Sequence, residues 1–89
     1  MIIDNYIEFL KKYDNQYVKI TKKESIIYGM LDGMELAGDS DSGYNEIDII
    51  PVNTEHIAYC VKDKDIISIE FSDEETCKKY NEPISNINN

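Results

Sequence analysis

The strongest constraint on this chain is a change of hydrophobic period at Tyr17. Before that residue, Ile3, Ile7 and Leu10 recur at helical spacing, with Tyr6 and Tyr13 near the same face. Asp4 falls in the first turn of that pattern and Lys11 and Lys12 in the last, as a helix dipole favours. The spacing predicts an amphipathic helix over 2–13 that packs through Ile3, Ile7 and Leu10. A helix this short is marginal alone, so it must rest on another element. From Tyr17 onward the period is two. Val18 and Ile20 alternate with Tyr17, Lys19 and Thr21, and Ile47 and Ile49 alternate with Glu46 and Asp48. Ile57, Tyr59 and Val61 form a further set, and Ile67, Ile69 and Phe71 another, with Ser68 and Glu70 facing away. Short alternating runs are half-buried strands.

Between these runs lie turns. Lys22-Lys23-Glu24 is a short polar turn, residues 38–43 form a Gly, Asp and Ser loop, and Lys62-Asp63-Lys64-Asp65 is a tight turn. Residues 25–37 read as one long extended run containing Gly29 and Gly33, which mark a bend or bulge. Pro51 ends the third strand or confines it to an edge. Ser72 or Asp73 is a candidate N-cap for a short helix over 73–81, stopped by Pro83. The expected organisation is one domain, 1–82, with a flexible tail, 83–89. The fold class is mainly β (α+β): an N-terminal helix followed by a five-stranded Sm-like or SH3-like small barrel, closed or nearly closed. Closure would remove exposed sheet edges, and a glycine-bent second strand would turn the corner.

This order resembles the Sm-like (LSm) small barrel. Gly29-Met30-Leu31-Asp32-Gly33-Met34-Glu35 looks like that family's first motif, Gly-x-Leu-x-Gly-aromatic-Asp. Residues 57–69 look like its second, two short strands around a tight turn. In RNA-binding members an Asn in the first motif and a basic-Gly pair in the second help build a uridine pocket. Here the corresponding stretches read Gly38-Asp39 and Lys62-Asp63, so Lys62 stands at the basic position while the Asn and the second Gly are missing. The resemblance therefore implies the fold and not the RNA pocket. A second resemblance is to the small acidic bacterial proteins that inhibit the transcription terminator Rho, which also place a helix before an Sm-like barrel and present acid to a nucleic-acid-binding partner.

Charge points the same way. The 89 residues carry 18 Asp plus Glu against 9 Lys and no Arg, a net charge of -9. Between Glu24 and Val61 the chain holds eight acids (Glu24, Asp32, Glu35, Asp39, Asp41, Glu46, Asp48 and Glu55) and no lysine. Nucleic-acid affinity rests on cations that release phosphate counterions, so no direct DNA binding and no RNA binding are expected. The matching partner is a basic protein surface, whose encounter such a field accelerates. The candidate protein-binding residues are Asp39, Asp41, Tyr44, Glu46, Asp48, Glu35 and Tyr28, because tyrosine suits interfaces. The alternative is an Sm-like oligomeric structural protein with residual RNA contact, which leaves a homo-oligomer open.

Other chemistries find little footing in the residues. Asp39-Ser40-Asp41 could begin a calcium loop, but its sixth and twelfth positions would be Tyr44 and Ile50 rather than Gly and Glu. Cys60, Cys77 and His56 give three zinc ligands where four are wanted, so no cofactor and no metal are expected. Cys60 lies in an apolar stretch and reads as a core or half-buried thiol. His56 reads as a rim histidine, no serine has a recognisable elbow or base, and no enzyme activity is expected. No run approaches the roughly 18 apolar residues of a membrane span, and the N-terminus lacks a signal-peptide pattern, so the expected location is cytoplasmic, without membrane contact.

Overall fold

The computed structural model describes residues 1–52 and 57–85. Asn5 is extended, and its side-chain oxygen accepts from the Glu8 N–H at 3.1 Å, which opens helix α1, Tyr6–Tyr13. The helix starts later than the 2–13 pattern predicts, and Asp4 lies ahead of it. Its inward face also differs. Phe9, Leu10 and Tyr13 pack on the core, whereas Ile7 is 54 % exposed. Ile3 is buried, but from the extended segment before the helix, so its spacing to Ile7 carries no helical meaning.

Six antiparallel strands follow: β1 Tyr17–Lys22, β2 Ser25–Glu35, β3 Glu46–Ile50, β4 Tyr59–Lys62, β5 Ile66–Phe71 and the two-residue β6 Ile84–Ser85. A second helix, α2, spans Glu74–Lys79, with Asp73 as its N-cap. The sheet order is β4-β3-β2-β1-β5, and β6 pairs with the start of β2. Ile84 and Ser85, within the 83–89 segment, are therefore part of the sheet. Val18 and Ile20, Ile27 and Leu31, Ile47 and Ile49, Val61 and Ile66 form the core with Ile3. Period two puts each of the first three pairs on one face of its strand or bend. Pro51 ends β3, which is an inner strand.

Two irregularities shape the sheet. Leu31 pairs with Ile49 but Met34 pairs with Ile47, so β2 holds one extra residue there, and Gly33 takes φ +84. The long extended run with its glycine-marked bulge is thus a single strand over Ser25–Glu35. Gly33 donates its N–H to Asp14 Oδ1 at 2.9 Å, which ties the exit of α1 to the bulge. The second irregularity lies at Thr21/Lys22, opposite Ser68 and Ile66. It turns Ile66 into the core and leaves Ile67 63 % exposed, correcting the expected Ile67, Ile69 and Phe71 face.

The mainly β architecture with an N-terminal helix and a second short helix is as expected; closure is not. A flat five-stranded sheet would hold its edges about 19 Å apart, at roughly 4.8 Å per strand. A single 3-10 turn, Asp63–Asp65, joins β4 at one edge to β5 at the other, and so short a link spans at most about 14 Å. The sheet must curl, yet the two edges form no ladder with each other. The N-terminal segment holds this corner instead. Met1 donates its ammonium to the Ile66 carbonyl at 2.7 Å, and Ile3 donates its N–H to Asp63 Oδ2 at 3.0 Å. Among the described residues, no helix is long and apolar enough to cross a membrane.

Candidate functional site

Burial of Ile47 and Ile49 forces Glu46 and Asp48 onto the outer face of β3. The register sets Glu35 of β2 directly opposite Glu46, and sets Lys62 and Cys60 of β4 opposite Glu46 and Asp48. Two acids face to face repel, a local cost a core does not explain. Cys60 is exposed, not in the core, and Cys77 of α2 is the buried thiol; both are free. The parity of β4 accounts for this, since Val61 next to Cys60 takes the inward position. Cys60 Sγ donates to Asp48 Oδ1 at 3.2 Å. That bond, then partial burial, then the charges of Asp48, Glu46 and Glu35 raise the thiol above its usual 9.0. Three carboxylates thus act on one point of the face.

The loop over 36–45 continues this surface. Ser42 Oγ donates to Glu46 Oε2 at 2.7 Å, Ser40 Oγ donates to the Tyr44 carbonyl at 2.6 Å, and Tyr44 donates its N–H to Ser42 Oγ at 3.2 Å. These bonds order the loop while Asp39 and Asp41 stay exposed. Tyr44 is 39 % exposed, and the Lys64 ammonium lies 4.8 Å from its ring centroid. At the base of the loop Asn45 does structural work. It accepts from Ala37 N–H and donates from Nδ2 to the Ile3 carbonyl and to Asp63 Oδ2, at 3.1 and 3.0 Å.

The structure therefore gathers Glu35, Glu46 and Asp48 on one face and sets Asp39, Asp41 and Tyr44 on the adjoining loop. It separates Tyr28 from them. That ring is half-buried, opposite Lys19 and stacked on Tyr80 at 5.2 Å, beside α2. Sequence reasoning missed Cys60 as an outward residue and Asp63 as a buried one. The parity of Val61 was the available signal for Cys60; nothing local marked Asp63. Glu55 and the rim reading of His56 lie outside the described residues. Among those described, no group of three or more His, Cys, Asp or Glu is arranged to hold a metal ion. Comparison of the chain with family models, with curated proteins and with solved structures gave no match.

Proposed function

We propose that this chain is a non-enzymatic, cytoplasmic binding module whose acidic outer face docks a basic protein surface. In that role it serves as an inhibitor or adaptor of a nucleic-acid-handling machine. The observation that carries the reading is the convergence of Glu35, Glu46 and Asp48 on one face, below a loop that exposes Asp39 and Asp41. From β2 through β3 no lysine interrupts them. A mainly negative face, with Lys62 of β4 as the cation opposite Glu46, attracts an opposite surface and speeds its encounter roughly 10–1000-fold at low salt. The Sm-like and Rho-inhibitor resemblances agree with this role, the second more closely, because both sequence departures at the RNA pocket replace expected residues with acid or leave them out.

Capture from native lysate, identified by mass spectrometry, tests the reading. Reversal of Glu35, Glu46 and Asp48 to Lys should abolish salt-sensitive capture of a basic protein, while reversal of Glu74 and Glu75 on α2 should not. Undiminished capture after the first reversal, or equal loss after both, would sink it. The two edges, β4 and β5, which have no further ladder partner among the described residues, favour a second reading, an Sm-like assembly. Light scattering that shows a ring-sized oligomer would select that one.

A further inference from the structure

The free edge of β4 carries a prediction about how a partner enters. β4 has β3 as its one ladder neighbour among the described residues. Asp63 donates its N–H to the Asn45 carbonyl at 2.8 Å, so Asn45 and Asp63 form a hydrogen-bonded pair. In an antiparallel ladder such pairs alternate with unbonded ones. Glu46↔Lys62 and Asp48↔Cys60 are then unbonded pairs. The N–H and C=O of Cys60 and the N–H of Lys62 consequently point away from β3, out of the sheet edge, while the Lys62 carbonyl, at the N-cap of the Asp63–Asp65 turn, accepts the first bond of that turn. The side chains of Cys60 and Lys62 are the ones that share the outer face with Glu46 and Asp48. Backbone bonding capacity on β4 thus lies beside the negative charge of Asp48 and Glu46 on β3, with Lys62 opposite Glu46.

We infer that the acidic face takes its partner as an extended basic segment that adds a strand to β4, bonding to the backbone of Cys60 and Lys62. This rests on the acidic-face reading above and specifies its partner. An added residue opposite Cys60 places its side chain on the outer face, about 5.5 Å away between Cα atoms. A Lys or Arg there reaches over the small thiol toward Asp48. Alternate residues of the segment turn to the other face, so the partner motif is basic and apolar in alternation. The other edge suits this less well. The irregularity opposite Thr21/Lys22 disturbs β5, its Ile66 carbonyl is already taken by the Met1 ammonium, and its exposed side chains are Ile67, Phe71 and Glu70, the last already paired with Lys19 at 3.7 Å.

The test uses the full chain and a short synthetic peptide of alternating Lys and Val, with two controls: alternating Glu and Val, and the Lys–Val peptide interrupted by proline. Binding should be confined to the uninterrupted basic peptide. It should slow hydrogen exchange at the Cys60 and Lys62 amides by about tenfold or more. Cys60→Pro removes an outward N–H without touching the β3 ladder, and proline is tolerated at such an edge. It should weaken binding by about tenfold or more relative to Cys60→Ala, which lacks the thiol but keeps that N–H. Unchanged amides in the parent protein, or a Cys60→Pro chain that binds as tightly, would overturn strand addition even if triple charge reversal still abolished binding. In that event the acidic face would stand and its partner would dock side by side. Binding that survives the charge reversal would overturn both. Failure of the Lys–Val peptide to bind, or an edge already occupied by a second copy in light scattering, would overturn the inference as well.

Discussion

Gly29 is the residue at which the fold tolerates least. A Cβ built there would lie 2.6 Å from the Ile50 carbonyl oxygen and 2.7 Å from Ile49 Cγ2, so β3 approaches β2 closer than any side chain allows. Gly29→Ala should cost about 1–3 kcal/mol or more in urea unfolding, whereas Gly38→Ala, with open space around it, should be nearly neutral. Cys60 offers a chemical test at the same scale. Its raised thiol means less thiolate at a given pH, and the thiolate is the form that alkylates. Cys60 should react with iodoacetamide more slowly than an ordinary thiol near pH 8. Asp48→Ala, which removes both the hydrogen-bond acceptor and a neighbouring charge, should speed the reaction severalfold, as mass spectrometry of the labelled residue would show. Individual roles of this kind were the least legible part of the sequence. Asp63 sits in Lys62-Asp63-Lys64-Asp65, a string that reads as solvated turn, yet it is 1 % exposed because its partners, Ile3 and Asn45, lie 60 and 18 residues away.

At the scale of elements, alternation was readable wherever a strand carries no extra residue. β1 and β3 carry none, and their buried residues are those the period assigns. β5 carries one, Ile67, opposite Thr21/Lys22, which brings Ile66 inward in its place, and no local pattern announces that extra residue. Ile66→Ala should therefore cost about 2–5 kcal/mol, while Ile67→Ala should stay within about 0.5 kcal/mol; equal effects would contradict the register. The glutamate cluster was legible in part for the same reason: Glu46 and Asp48 follow from parity, while their meeting with Glu35 and Cys60 depends on register across three strands. The C-terminal helix was visible through its cap. Asp73 accepts from the Thr76 N–H at 2.8 Å, and that bond above all holds its carboxyl below the usual 3.8. A lowered carboxylate stabilises the fold above its unfolded value, and that contribution is lost as pH falls through the folded value. α2 should be intact at neutral pH and loosen below about pH 4, releasing the Tyr28–Tyr80 stack in near-ultraviolet circular dichroism. Asp73→Asn keeps a capping oxygen that does not titrate in this range, so that acid step should vanish.

The whole molecule faces a problem that its elements do not show singly. A sheet curled by a three-residue link, with no ladder between β4 and β5, has a seam, and the N-terminal segment is bonded across the corner of that seam. Asp63 is the meeting point: one oxygen accepts from Ile3 N–H and Asn45 Nδ2, its own N–H bonds the Asn45 carbonyl, and Ile3 is seated in the core beside it. Its other oxygen, Oδ1, is buried with no partner among the described residues. A buried oxygen of this kind costs free energy, which the two bonds that Oδ2 accepts offset. Asp63→Ala would strand two donors, one of them on the N-terminal segment, and should destabilise by about 2–5 kcal/mol. The loss should not spread evenly. Hydrogen exchange should accelerate first at Ile3 and around residues 63–66, while the β1–β2 and β2–β3 ladders in the middle of the sheet keep most of their protection. If instead every ladder loosened together, the corner would be no separate fastening, and the curl of the sheet would have to be maintained by the core alone.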